Sequence, residues 1–468
     1  VQNFTYDLVV VGAGSGGYAA ARTARALGAT VALVDQGPLG GLCILRGCMP
    51  SKALIASSDR AHDVASAARL GVRAGSLGID FDRIMARKRG LIDGFARDRI
   101  TELVTFPIYQ APARFLSPSE LQVGDDVTLT ASAFVIATGS VVAPAVVSGL
   151  EETGYIDSDA ALSLARKPDS LIVLGGGYVA AELGQFFARI GVQTTFVLRA
   201  PHLLSTEDAD VGGALTEALR AEGIRVETCA QVDRVERAGD AKRVVYTQHG
   251  AERSVDAAEI LYALGRVPNV AELNLEAADV RYHSITGIEV DMALRTSNPS
   301  IFAVGDVTGM YPLVHVAIYQ GELAARNAVL RAGDAADYTL QKTRAIFTDP
   351  QVAVTGQTEK DLRRADVDYV VGAYPFADHG KAMVLDKTLG FVKMLAAPAD
   401  GRILGAAVVG SHGSDLIHEV VVAMNYRATV YDFLKIPHLH PTMAEIWTYP
   451  PEIIAAEIEE AKIVEAAV

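Results

Sequence analysis

An apolar strand that breaks at glycines and reopens as a helix occurs twice in this chain. In the first copy Asp7-Leu8-Val9-Val10-Val11 runs into Gly12-Ala13-Gly14-Ser15-Gly16-Gly17, so Gly12, Gly14 and Gly17 have the spacing Gly-x-Gly-x-x-Gly. Residues 18–27 are Ala-rich and favour helix, Gly28 suits its C-terminal stop, and residues 30–34 form a second apolar strand that ends at Asp35. Such uninterrupted apolar runs suit strands covered on both faces, as in a parallel sheet. The second copy begins at residues 171–174 and continues through Gly175-Gly176-Gly177-Tyr178-Val179-Ala180 into a helical stretch at 182–190. It breaks at Gly191 and returns as a strand over 193–198. A strand–helix–strand unit that recurs commits the chain to an α/β fold with two similar parts.

Glycines at these positions let a backbone approach a pyrophosphate, and a helix N-terminus adds free N–H groups and a partial positive charge. Two such units imply two bound nucleotides. Asp35 stands about 23 residues after Gly12, near the ~20 at which an acid meets a ribose hydroxyl. In the second unit Arg199 occupies the matching place after Gly175 and Gly177. A guanidinium suits a 2′-phosphate, which favours NADP over NAD there. Three further apolar strands end at glycine: 133–137 at Thr138-Gly139-Ser140, 259–264 at Gly265-Arg266-Val267-Pro268-Asn269, and 301–304 at Gly305-Asp306. Open α/β sheets bind ligands at that carboxyl edge. From about Tyr338 onward the pattern mixes strands and helices without a glycine fingerprint, which marks a separate C-terminal domain.

A length of 468 residues allows about two to four domains. Half of the residues are hydrophobic and 21% are charged, as in a globular rather than a disordered chain. The formal net charge of −14 argues against nucleic acid as a partner, because phosphate binding needs a basic surface. The start of the chain shows no basic stretch followed by an apolar one, and no apolar run approaches the ~18–20 residues of a membrane span. The expectation is a cytosolic protein with no membrane partner.

Only three cysteines occur, Cys43, Cys48 and Cys229, too few for the disulfide scaffold of a secreted protein this long. Two of them lie within Gly40-Gly41-Leu42-Cys43-Ile44-Leu45-Arg46-Gly47-Cys48-Met49-Pro50-Ser51-Lys52. A zinc site needs about four ligands. No second cysteine pair exists, so no metal site is expected and a catalytic dithiol/disulfide fits better. Pro50 and Ser51 suggest a helix starting there, whose N-terminus would stabilise a thiolate at Cys48. Cys229 reads as structural. Thiol–disulfide exchange also needs a group that takes and returns a proton near neutral pH, a task suited to histidine. Pro437-His438-Leu439-His440-Pro441-Thr442-Met443-Ala444-Glu445 offers an imidazole with a carboxylate to hold one tautomer. On spacing alone these histidines read more readily as hydrogen-bonded structural residues.

Gly-Gly-x-Cys-x4-Cys-x-Pro-Ser-Lys at 40–52, with the ordered set at 137–139, 175–180, 265–269, 305–306 and 440–442, resembles the flavin-dependent pyridine nucleotide–disulfide oxidoreductases. That is the family of dihydrolipoamide dehydrogenase, glutathione reductase and mercuric reductase. The resemblance covers Tyr6 to about Glu452. It implies two Rossmann-like dinucleotide-binding domains plus a C-terminal α+β dimerisation domain. FAD would be bound by 1–150 and 271–338, NAD(P) by 151–270, and 339–468 would form the dimer. By the resemblance, Gly12, Gly14, Gly17 and Asp35 hold the ADP half of FAD. Thr138 and Gly139 lie against FAD, Asp306 binds its ribityl/pyrophosphate region, and Gly41 belongs to the cofactor-binding set. Lys52 sits by the flavin ring and pairs with Glu182. Gly175, Gly177, Tyr178 and Arg199 serve the nicotinamide nucleotide, with Tyr178 over its pocket, and Gly265 and Arg266 belong to the cofactor-binding set. Cys43 is the interchange thiol, Cys48 the thiol beside the flavin, and His440 the acid/base residue oriented by Glu445. In the family that histidine comes from the partner subunit, so a homodimer is implied.

Within the family, the C-terminal end 462–468 lacks the vicinal cysteine pair of mercuric reductases, whereas His438-Leu439-His440-Pro441-Thr442 matches dihydrolipoamide dehydrogenases. Arg199 and Gly-Leu-Cys43-Ile-Leu-Arg-Gly-Cys48-Met depart from the commoner dihydrolipoamide dehydrogenase pattern. The expected activity is electron transfer between NAD(P)(H) and a small disulfide or dithiol of lipoyl type. A second reading is an NADPH-driven reductase of another disulfide, a metal ion or a quinone. A third, of another class, is a flavoprotein redox sensor.

Overall fold

The structure, a computed structural model, describes residues 4–339 and 342–466. Residues 1–3 and 467–468, on which the expectations about a leader and a tail bear, lie outside them. Among the described residues no helix is long and apolar enough to cross a membrane. The chain divides into two compact units.

One unit takes the chain up to Ala53, then Arg83–Pro144 and Gly265–Tyr338. Strand β1 (Tyr6–Val11), helix α1 (Ser15–Ala26) and strand β2 (Val31–Val34) form the first expected repeat. β1 pairs in parallel with β2 on one side and with strand Val127–Ile136 on the other, and Ile301–Ala303 extends the sheet beyond that. The apolar run of β1 has no polar alternation because both faces are covered. Leu8 and Val10 pack with Ala20 and Ala24 of α1 and with Leu323, while Val9 and Val11 pack with Phe115, Phe134 and Ile301. Helix Val314–Leu330 approaches α1 so closely that a Cβ on Gly321 would lie 2.2 Å from the Gly16 carbonyl oxygen. Three helices follow β2: α2 (Gly41–Arg46), α3 (Cys48–Ser66) and α4 (Phe81–Leu103).

The other unit comprises Leu54–Asp82, Ala145–Leu264 and the chain from Thr339 onward. Its first sheet is parallel, in the order Arg225–Glu227, β4 (Gln193–Val197), β3 (Ser170–Leu174) and Glu259–Tyr262, with α5 (Tyr178–Arg189) joining β3 to β4. A three-stranded antiparallel sheet, 230–257, precedes the last of these strands. The C-terminal part is a five-stranded antiparallel sheet built on Ile403–Gly410, every residue of which is buried. Its core includes Trp447, whose Nε1 donates to the Leu416 carbonyl at 3.0 Å.

Arg189, the last residue of α5, ties this unit together. Its side chain is 3% exposed and bonds Glu222 at 2.6 and 2.9 Å, Asp59 at 2.6 Å and Asp349 at 3.0 Å. Removing one partner of a buried ionic network leaves the others uncompensated. Arg189→Met is therefore expected to cost about 3 kcal/mol of stability, read as a lowered urea midpoint at unchanged slope.

Candidate active site

The first glycine fingerprint forms a tight cradle. Gly12 has φ +103°, and a Cβ there would lie 2.3 Å from the Ala137 carbonyl oxygen. A Cβ on Gly17 would lie 1.8 Å from the Gly12 oxygen, and one on Gly41 2.7 Å from the Gly14 Cα. These contacts exclude any side chain and bring 12–17, 41 and 137–138 together. α1 starts at Ser15 with no side-chain cap and no acid in its first turn, so its N–H groups are available to an anion. Asp35 is engaged on both oxygens, accepting from Ala13 N and Gly37 N, each at 2.7 Å. It thus braces the glycine turn, and a carboxylate so used still has lone pairs for a hydroxyl.

The other residues expected at the carboxyl edge of this sheet also converge. Ser140 Oγ donates to Asp306 Oδ2 at 2.7 Å, while Arg266 reaches Ser140 through Nε at 3.0 Å and Nη2 at 2.8 Å. Thr138 Oγ1 donates to the Asn269 oxygen at 2.7 Å, and Asn269 N donates to the Gly139 oxygen at 2.9 Å. The Gly265 oxygen accepts from Ala143 N at 3.1 Å. Ser140, Asn269 and the fully buried Gln320, which accepts from Gly305 N at 2.7 Å, are positioning residues that the sequence reading did not single out. For the first two the available signal was adjacency to Thr138-Gly139 and to Gly265-Arg266; Gln320 carried none.

α2 carries Cys43, and α3 begins at Cys48 itself, two residues earlier than Pro50-Ser51 suggests. The reason is local. Ser51 N and Oγ both bond the Gly47 oxygen, at 3.2 and 2.9 Å, and close the first turn there. Pro50 fits inside that turn because its missing N–H would have no intrahelical partner. Gly47 makes the reversal between the helices, where a Cβ would lie 2.9 Å from the Leu42 oxygen and 3.2 Å from the Cys43 Cα. The two half-buried thiols therefore meet, and neither is in a disulfide. A hydrogen bond to Cys48, then burial, then the Cys48 charge push the Cys43 thiol far above its ordinary range, while Lys52, one turn along α3, acts in the opposite sense. Cys48 is the first residue of α3, and a helix N-terminus favours a thiolate beside it. Beside the pair, a cavity of about 320 Å³ opens between Ile44, Met49 and the α4 residues Phe95, Asp98, Arg99 and Glu102.

In the other unit Gly175 has φ +119°, with a Cβ position 2.5 Å from the Ala263 oxygen. Gly177 instead faces open space, with nothing within 4 Å of a Cβ, just where the uncapped α5 begins. Tyr178, the first residue of α5, is 49% exposed. Glu182 is buried one turn on, and its Oε1 accepts from Phe347 N at 3.0 Å. Arg199 is exposed just past the carboxyl end of β4 and makes no hydrogen bond or ion pair among the described residues. Cys229 is exposed and has φ +52°; its N–H donates to the Ala200 oxygen at 3.0 Å, next to Arg199.

The two histidines near the C-terminus differ. His438 is buried, with Nε2 against Glu419 at 2.6 Å and its ring stacked on Phe433. His440 is 78% exposed, and its Nδ1 lies 2.9 and 3.0 Å from the two oxygens of Glu445. A carboxylate on Nδ1 fixes the proton there and leaves Nε2 as an exposed base. Among the described residues, Asp208, Asp210 and Glu359 form the one carboxylate group at metal-binding spacing. The Lys393 ammonium fills it, at 3.1, 2.8 and 2.8 Å.

Residues 6–321 match the profile described as pyridine nucleotide-disulphide oxidoreductase, and 343–450 match its dimerisation domain. The chain is 35% identical over 451 residues to the dihydrolipoyl dehydrogenase of Geobacillus stearothermophilus, covering 94% of each. It is 34% identical over 448 residues to a mercuric reductase of Streptomyces lividans, again covering 94% of each. Among solved structures it superposes on the HOCl-induced flavoprotein disulfide reductase RclA of Escherichia coli with a TM-score of 0.84 and 26% identity, over 96% of this chain and 99% of that one. A Cu(II) complex of RclA matches with the same TM-score and 25% identity, over 97% and 100% of the two chains.

Proposed function

The chain belongs to the pyridine nucleotide-disulphide oxidoreductase family, whose members contain FAD and use NAD(P)(H), and from that premise we propose that it oxidises a small dithiol, or reduces the corresponding disulfide, through Cys43 and Cys48. Dihydrolipoamide is the leading substrate, supported by the likeness to dihydrolipoyl dehydrogenases and by His438-Leu439-His440-Pro441-Thr442. The observation that carries the reading is the hydrogen-bonded thiol pair formed by Cys43 on α2 and Cys48 at the start of α3. It lies in the same unit as a glycine cradle with no room for side chains.

When bound, FAD supplies a two-electron store between the nicotinamide and the sulfur pair. Gly12, Gly14, Gly17, Asp35, Gly41, Lys52, Thr138, Gly139 and Asp306, with Gly265 and Arg266, are the residues we assign to holding it. Gly175, Gly177, Tyr178, Glu182 and Arg199 are assigned to the nicotinamide nucleotide. In dithiol oxidation, His440 Nε2 takes a proton from a substrate thiol, while Glu445 holds the proton on Nδ1. The substrate thiolate attacks Cys43 of the Cys43–Cys48 disulfide and expels Cys48 as thiolate. The second substrate sulfur then displaces Cys43, so the substrate leaves as a disulfide and the protein pair is reduced. The dimerisation domain is consistent with a homodimer in which His440 of one subunit serves the thiols of the other.

Dihydrolipoamide-dependent reduction of NAD+ and NADP+ tests this; no turnover with either removes lipoamide as substrate. An unpaired Arg199 supports NADP(H). Arg199→Leu is expected to raise KM for NADPH about tenfold, the loss of about 1.4 kcal/mol, and to leave KM for NADH unchanged. A second reading, NADPH-driven reduction of a metal ion, is supported by the likeness to mercuric reductases and to the RclA–Cu(II) complex. NADPH oxidation with Hg(II) or Cu(II) at rates above those with lipoamide would favour it.

A further inference from the structure

His440 lies on the stretch of chain between the short helix Val430–Phe433 and the turn Ala444–Thr448, which carries Glu445. Among the described residues, 437–442 make no main-chain to main-chain hydrogen bond, and Pro437 and Pro441 have no N–H to give. Side chains must hold this stretch in place. Of residues 434–440, His438 alone turns inward: its side chain is 6% exposed, while the other residues are exposed. Its Nδ1 lies 3.0 Å from the Ile436 carbonyl oxygen, its Nε2 lies 2.6 Å from Glu419 Oε1, and its ring stacks on Phe433 at 5.8 Å. Phe433 belongs to the core around Trp447. Glu419 stands on the helix Gly413–Asn425, whose Leu416, Ile417 and Val420 lie in the same core. With both nitrogens and one face engaged, the imidazole of His438 is fixed in place and in rotation, and it has no nitrogen left for proton transfer.

We propose that His438 and Glu419 are positioning residues for His440, the pair anchoring the chain that carries it. The inference rests on the acid–base reading of His440 and Glu445. Glu445 bonds His440 Nδ1 and so sets the direction of that ring. It does not set where the backbone under the ring lies, because it stands beyond the stretch that lacks main-chain bonds. His438 is two residues from His440, at most about 7 Å of extended chain, so a shift at one passes to the other. Proton transfer needs heavy atoms about 2.6–3.2 Å apart, and an ångström of misplacement can cost about a hundredfold in rate. A phenylalanine at 438 would fill the same place against Phe433. What the imidazole adds is two directed bonds, and these fix position rather than volume.

The test follows flavin absorbance by stopped flow as the oxidised, flavin-loaded full-length protein is reduced by dithiothreitol, a dithiol whatever the natural substrate is. Reduction by NADPH or NADH is the control. His438→Phe and Glu419→Leu are each expected to slow reduction by dithiothreitol about tenfold and to leave reduction by the nucleotide unchanged. Glu419→Gln should stay within about twofold of the parent, because an amide can either donate to Nε2 or accept from it. In a His440→Gln background His438→Phe should have no further effect, since it acts only through His440. A merely structural role would slow both backgrounds alike. A His438→Phe rate within about twofold of the parent overturns the inference, as does a loss that persists in His440→Gln. Glu419→Gln as slow as Glu419→Leu overturns it as well. Should His438→Phe not fold, Glu419→Leu answers the same questions in both backgrounds. A dithiothreitol rate unchanged by His440→Gln rejects the acid–base reading itself. A rate slowed by His440→Gln but by neither His438→Phe nor Glu419→Leu rejects only the positioning role.

Discussion

Cys43→Ser is expected to abolish dithiol–disulfide turnover, by about a thousandfold or more, while the purified protein stays yellow. A serine hydroxyl cannot form the disulfide with Cys48 and is a poor nucleophile at neutral pH. The groups assigned to holding flavin are largely backbone groups of 12–17, 41 and 137–139, fixed by contacts that do not involve the Cys43 sulfur. Flavin absorbance after desalting and lipoamide-coupled turnover measure the two halves separately. A colourless variant would mean that Cys43 is structural. Wild-type turnover would place the exchange chemistry elsewhere.

His440→Gln should lower the same turnover by about a thousandfold, within the 10²–10⁴ range for loss of a general acid–base group. Reduction of the bound flavin by NAD(P)H in a single turnover should be unaffected, because that step needs no proton at a sulfur. Glu445→Gln should retain part of the activity, since the amide oxygen can still accept from Nδ1 but no longer opposes the imidazolium charge. Equal losses in both half-reactions would contradict the assignment of His440 to sulfur chemistry.

Both predictions concern residues visible in the sequence, but with unequal clarity. Cys43, Gly47 and Cys48 could be read together because the constraint is local: a glycine reversal between two short helices decides that the thiols meet. The strands and helices around Gly12 and Gly175 were legible for the same reason, a period of apolar residues followed by positions where a Cβ has no room. The helix start was misplaced by two residues because Ser51 bonds back to Gly47 and Cys48. On spacing alone His438 and His440 could not be told apart, and only the family resemblance picked His440, since what separates them is burial against Phe433 and Glu419 on one side and exposure beside Glu445 on the other. The departure of residues 54–82 into the unit that also holds 145–264 left no mark in the local pattern.

The order of residues by itself determined the two strand–glycine–helix repeats, the thiol pair and the α/β class, because steric exclusion at glycine and the periodicity of apolar side chains act over a few neighbouring positions. Tertiary structure alone decided the partners. Ser140 finds Asp306 across 166 positions, Asp35 accepts from the N–H of Ala13 in the glycine turn 22 positions away as well as from Gly37, and Arg189 gathers three carboxylates. Which polar groups are taken out of water, and which meet there, follows from how distant segments close on one another, and no local pattern carries that information.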